Sequence, residues 1–270
     1  MGLDLNLILV LLLMGAFGGF FAGLLGIGGG MLLVPFITMI LSSKGFPKEY
    51  IVHTAIATSL ATVMFTSLSS VRAHHKHGAV RWEIVRAITP GILIGSWIGP
   101  WIGKSMNTLW LAFFFSAFIM VSATQMMLGR QPAGHRQLPG NTGMATFGLV
   151  VGGMAGLVGA GGGFMTVPFM TWCNVRIHNA VATSAAIGFP LALAGTLSNV
   201  WNGMHIEHLP QYSLGFIYLP ALAGIVLASI VFAPLGAKVA HSLPVASLKR
   251  SFAVVLYCLG IYMLWKAWHL

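Results

Sequence analysis

Two short glycine runs carry the strongest chemical signal in this chain: Gly26-Ile27-Gly28-Gly29-Gly30 and Gly159-Ala160-Gly161-Gly162-Gly163. Glycine reaches positive φ at no steric cost and lets a ligand approach the backbone closely. Each run leads into an apolar segment that reads as the start of a helix. The first N–H groups of a helix have no partner within it. Together with the positive end of the helix dipole, those amides form an anion site that carries no net charge. Such a site can hold an oxyanion and still release it more readily than a buried lysine would. The expected substrate-binding set is therefore Gly26, Gly28, Gly29 and Gly30 with Gly159, Gly161, Gly162 and Gly163.

Hydroxyl groups follow the half-helix in each copy. Ala57-Thr58-Ser59 in the first half matches Ala182-Thr183-Ser184 in the second. Thr58, Ser59, Thr183 and Ser184 either donate to the same substrate or bond the carbonyls of their own helix. His53 and its counterpart His178 open the same two segments and are the gate or proton candidates, with an interfacial helix start as the alternative reading. Asn199 and Asn202 read as helix-end residues. His74-His75-Lys76-His77 lies in a basic stretch that opposes a bound cation, so it reads as a solvated loop, and His205 with His208 as interfacial. No metal and no cofactor are expected.

The elements that must position these groups are themselves repeated. Gly19–Phe36 recurs as Gly152–Phe169 at an offset of 133, with eleven of eighteen positions identical. The glycines spaced by four, Gly19/Gly23 and Gly152/Gly156, read as helix-packing positions. The triplets read as unwound loops, because consecutive glycines cost a helix about 1 kcal/mol each against alanine. The domain reading is a first transmembrane repeat over 1–130, a polar linker over 131–141 and a second repeat over 142–270.

Composition fixes the solvent. The chain is 57% hydrophobic and 7% charged, against roughly 25% charged in soluble domains, and its mean hydropathy is +0.88. Its apolar runs approach the ~20 residues that cross a hydrocarbon core. They do not alternate in polarity as strands of an outer-membrane barrel would. The fold class expected is an all-α polytopic membrane protein with two inverted repeats, of about eight full spans or ten segments counting short half-helices. The first apolar run, with Asp4 ahead of it and no lysine or arginine, is expected to be retained rather than cleaved. The net charge of +10 comes from scattered loop residues without aromatic interleaving, which excludes nucleic acid as the partner. The lipid bilayer is the expected surrounding, and Phe113–Phe115 and the Trp-rich helix ends face either lipid or a second copy in a homodimer.

Loop charges choose between two threadings. If the chain runs straight through each break, lysines and arginines divide evenly between the faces. If it reverses there, Arg72, Lys76, Arg81, Arg86, Arg130, Arg136, Arg176, Lys238, Lys249 and Arg250 fall on one face and Lys44, Lys48, Lys104 and Lys266 on the other. The positive-inside rule favours reversal, with both termini outside. Met31–Leu41 and Phe164–Trp172 are then half-helices, with Pro35 and Pro168 expected in their first turns.

Paired Gly-Leu-x-Gly-x-Gly-Gly-Gly-x-x-x-Val-Pro motifs, each followed by Ala-Thr-Ser, resemble the sulfite exporter TauE/SafE family of membrane transporters over essentially the whole chain. The resemblance implies export, or in some members uptake, of small sulfur-containing anions such as sulfite or sulfoacetate. Alternating access about paired breaks is the expected mechanism, in the cytoplasmic membrane. The alternative is a channel-like permease for another small solute. An enzyme is not expected: the chain has no aspartate beyond Asp4 and no Ser/His pair or His cluster placed in a span.

Overall fold

The structure, a computed structural model, describes residues 5–128, 136–206, 209–240 and 245–268. Residues 131–135 of the linker expected over 131–141 lie outside them, as do Asp4, Arg130, Glu207 and His208. The first half comprises α1 (Leu5–Leu25), α2 (Gly30–Ser43), α3 (Ile51–Lys76), α4 (Trp82–Ser105) and α5 (Thr108–Leu128). The second comprises α6 (Asn141–Val158), α7 (Gly163–Trp172), α8 (Ile177–Gly203), α9 (Leu219–Ala240) and α10 (Val245–Trp268). A two-residue hairpin, β1 (Ser213–Leu214) with β2 (Ile217–Tyr218), precedes α9. Among the described residues, seven helices are long and apolar enough to cross a membrane. The protein is a multi-pass α-helical membrane protein.

The chain reverses at each break, as the charge bias requires. Leu33 of α2 packs on Gly18 of α1, and Gly29 approaches the Gly18 carbonyl and Ala22, so α2 returns along the helix that precedes it. The half-helices begin at Gly30 and Gly163, one residue earlier than expected. Pro35 and Pro168 are the sixth residues of their helices, in the second turn rather than the first.

The halves do not stand side by side. Gly15, Gly19 and Gly23 of α1 meet Ile225, Ser229 and Ala233 of α9, so the two helices run parallel with residues four apart in register. Gly148, Gly152 and Gly156 of α6 meet Ile88, Ile92 and the Ser96–Pro100 turn of α4 in the same way. Each half's first helix thus docks on the other half's fourth. Without water or a hydrophobic driving force in lipid, such close backbone approach supplies the packing energy, and glycine allows it.

α3 and α8 form the centre. They run antiparallel, with Leu60 against Gly195 and Ser67 against Gly188. Their apolar stretches are 83% and 78% buried, against 28–39% for the other five spans. The sequence explains the sorting. α3 and α8 are rich in Ala, Ser and Thr and need no lipid contact, whereas Leu-rich α1 and α9 present large side chains outward.

Two ends of the bundle follow from these contacts. At one, the Arg81 amide donates to Thr183 Oγ1 (3.0 Å) and Asn179 donates to the Ala79 carbonyl (2.8 Å). This end gathers Arg72, Lys76, Arg81, Arg86, Arg136, Arg176, Lys238 and Arg250. At the other, the Tyr218 amide donates to Thr58 Oγ1 (3.0 Å), and Lys44, Lys48, Lys104 and Lys266 lie there.

The interlock is testable. A side chain at Gly23 would run into the Ala233 carbonyl, whereas a Cβ at Gly153 would meet nothing closer than 3.8 Å. Gly23→Leu is expected to lower the melting temperature of the detergent-purified protein by several degrees or abolish assembly. Gly153→Ala is expected to leave it unchanged or raise it slightly.

Candidate functional site

The two breaks cross at the centre of the molecule. Gly26, Gly28 and Gly29 have φ of 68, 76 and 73°, and Gly159 and Gly162 have 71 and 76°. These left-handed values exclude most other residues. Gly29 and Gly162 are the N-caps of α2 and α7. The first helical bonds run from Leu32 and Leu33 to the Gly29 carbonyl, and from Met165 and Thr166 to the Gly162 carbonyl. The amides of Gly30, Met31, Gly163 and Phe164 are therefore the orphan donors of two helix starts.

The runs pass each other antiparallel and in backbone contact. The Gly161 amide donates to the Ile27 carbonyl at 3.1 Å. A Cβ on Gly28 would stand 2.9 Å from the Gly161 Cα, and one on Gly161 would stand 2.8 Å from the Gly28 Cα. The start of α2 rests against the Gly159 carbonyl, and the start of α7 against the Gly26 carbonyl. All eight glycines expected from the sequence are thus brought together.

The hydroxyls do something the sequence reading did not consider. Ser59 Oγ donates towards the Gly159 carbonyl (3.0 Å) and lies 3.2 Å from the Gly30 carbonyl. Ser184 Oγ donates to the Gly26 carbonyl (2.8 Å) and accepts from Thr166 Oγ1 (2.9 Å). Each serine holds the first carbonyl of the opposite half's break. The adjoining threonines accept from the chain just before a helix of the opposite half: Thr58 from the Tyr218 amide before α9, and Thr183 from the Arg81 amide before α4. Every Ala-Thr-Ser is thus a two-pronged clasp between halves.

The paired histidines separate. His53 is buried, with Nε2 3.1 Å from both the Gly103 and Met106 carbonyls and its ring stacked on Phe216. It meets two carbonyls at the C-terminal end of α4, of which that of Gly103 also accepts from the Met106 amide. His178 is exposed at the start of α8. His74 also departs from expectation. α3 continues to Lys76, and His74 is buried with Nε2 3.1 Å from the Gly23 carbonyl, which ties α3 to α1. His75 and His77 are exposed as expected. The Asn199 and Asn202 amides bond the Gly195 and Ser198 carbonyls of their own helix. Among the described residues no His, Cys, Asp or Glu cluster could hold a metal ion.

Beside the crossing lies a cavity of about 10 Å³, lined by Gly26, Gly28, Gly161, Ser184, Ala185 and Gly188 together with Ser67 and Ser70 of α3. Sequence reasoning missed Ser67 and Ser70 because they belong to no repeated motif. Their repeat counterparts are Ala192 and Gly195, and that mismatch is the signal that could have found them.

The model of the family described as sulfite exporter TauE/SafE matches residues 11–263. Curated relatives carry the name "Probable membrane transporter protein". The relative from Haemophilus influenzae is 36% identical, over 96% of this chain and 98% of its own length. A relative from Methanocaldococcus jannaschii is 26% identical, over 96% of each chain. One from Bacillus subtilis is 25% identical, over 95% of this chain and 97% of its own. No solved structure matches the chain.

Removing a clasp leaves a buried carbonyl short of its donor, at a cost of about 1–3 kcal/mol. Ser59→Ala and Ser184→Ala are each expected to lower thermal stability and to speed amide exchange at both breaks. Because both hold one crossing, the double variant is expected to be non-additive. Melting curves and hydrogen exchange of the four proteins check this.

Proposed function

The chain belongs to the sulfite exporter TauE/SafE family of membrane transporters, and from that premise we propose that it carries a small sulfur oxyanion or organosulfonate, such as sulfite or sulfoacetate, out across the cytoplasmic membrane. The observation that carries this reading is the crossing itself. Two helix starts, α2 and α7, flank the one crossing and leave their orphan amides beside it. An anion between them would gain from both dipoles and from several N–H donors without meeting a fixed positive charge. Its three or more oxygens suit such a set of diverging donors.

The geometry also says what must move. The breaks touch at Gly28 and Gly161, and the adjoining cavity of about 10 Å³ is about the least that holds one water molecule. Sulfite needs more room, so binding requires the two breaks to part. The clasps at Ser59 and Ser184 are the bonds such a motion would exchange: a hydroxyl released from a carbonyl becomes a donor for the anion. Freed Gly26 and Gly159 carbonyls repel an anion, which favours re-closure after release. Alternating access then amounts to opening the crossing towards one end of α3 and α8 at a time.

Charge supports the outward direction. The end rich in arginine and lysine is assigned to the cytoplasm by the positive-inside rule. Outward movement of an anion from a negative interior gains about 2.3 kcal/mol per charge per 100 mV. No coupling ion is needed for export.

Proteoliposomes loaded with sulfite test the reading. Wild-type protein is expected to release sulfite faster when the interior is negative. Gly162→Val, which forces a β-branched residue to φ 76° against Leu191 and Val151, is expected to insert normally and transport at background rate. Release by that variant at the wild-type rate would refute the crossing as the site. Transport of neutral solutes without discrimination for anions would favour the permease reading.

A further inference from the structure

The two sides of the crossing are unequal although the repeat makes them equivalent. On one side Leu60 fills the space against Gly195, and Val63 packs on Gly28. At the repeat-related positions the second half has Ala185 in place of Leu60 and Gly188 in place of Val63, while the first half has Ser70 in place of Gly195 and Ser67 in place of Ala192. Four exchanges at one seam convert an apolar plug into a hydroxyl-lined cavity. That cavity lies between Gly26, Gly28 and Gly161 and the Ser67–Ser70 turn of α3, on the side of the end rich in arginine and lysine.

Ser70 marks it as a ligand position. Ser70 lines the cavity, is 1% exposed, and its Oγ has no hydrogen-bond partner. A buried hydroxyl without a partner costs about 1–3 kcal/mol, and a helix Ser ordinarily avoids that by bonding a carbonyl of its own helix. Ser67 takes that route, to the Met64 carbonyl at 3.1 Å. Ser70 does not.

We infer that Ser70, with Ser67 beside it, forms the hydroxyl half of an oxyanion subsite that receives substrate from the basic end and passes it to the glycine amides at the crossing. The inference rests on the anion-transport reading above and adds two specificity-determining residues to it. A serine hydroxyl donates to an oxyanion but imposes no charge, as do the orphan amides of the two helix starts beyond the cavity. The Leu60 and Val63 side is then the closed seam, and its bulk blocks the way towards the opposite end.

The test is thermal stabilisation of the detergent-purified protein by sulfite, with chloride as the control. Losing one hydrogen bond to a charged group is expected to raise the half-stabilising sulfite concentration of Ser70→Ala at least about tenfold. Its melting temperature without sulfite is expected to stay unchanged, because the hydroxyl removed had no partner. Ser70→Thr keeps the donor and is expected to retain most of the response. Ser67→Ala is expected to weaken it less. Wild-type stabilisation with an unshifted Ser70→Ala curve would overturn this subsite while leaving the crossing intact. No stabilisation of the wild type by sulfite, sulfoacetate or sulfate would overturn the anion reading and this inference with it. A Ser70→Ala protein with altered melting temperature but unaltered half-stabilising concentration would assign Ser70 to a buried water and also overturn it.

Discussion

Inside a bilayer, a carbonyl or amide that leaves the helical pattern has no water to turn to. This chain breaks its backbone twice at the centre of the molecule, and everything around the crossing answers that constraint. The Gly161 amide finds the Ile27 carbonyl, and Ser59 and Ser184 find the carbonyls of Gly159 and Gly26. Unwound backbone survives at membrane depth because the other half of the same protein supplies its partners. The cost of the break and the association of the halves are one problem with one solution.

That solution explains the sorting of side chains among helices. The partners must come from neighbours close enough for a short hydroxyl to reach. α3 and α8 therefore carry Ala, Ser and Thr where other spans carry Leu and Phe, and they sit inside. The glycine ladders on α1, α4 and α6 serve the same end from outside. They draw α9 onto α1 and α6 onto α4 until backbones touch, which fixes how far the breaks can separate at rest.

Much of this was legible before any coordinates. The offset of 133 located both breaks, and the scatter of arginine and lysine chose reversal at each of them. The start of each half-helix was read to within a residue. What could not be read was who would pair with whom. Nothing local in Gly15, Gly19 and Gly23 says that their partner is Ser229 rather than a helix of the same half. For the same reason Ser59 and Ser184 were weighed only between a substrate and their own helix, when their acceptors lie 100 and 158 residues away in sequence. The histidines differ in another way. Repeat symmetry makes His53 and His178 look equivalent, yet His53 is buried against the end of α4 and His178 is exposed. Symmetry was a good guide to backbone and a poor one to side chains, and Ser70 was missed for that reason.

The exchange of partners between halves carries a further consequence. Because α1 closes on α9 and α6 on α4, one half alone would present an uncovered glycine ladder and an unwound segment with unmet carbonyls. Its remedy would be a second copy of itself, upside down. A polypeptide that must enter the membrane both ways up cannot favour either, so its loop charges would have to balance. Joining the halves in one chain removes that demand: orientation is chosen once, for both. Each half is then free to drift from its twin, and a seam plugged by Leu60 and Val63 on one side can become, at Ala185 and Gly188, an opening on the other.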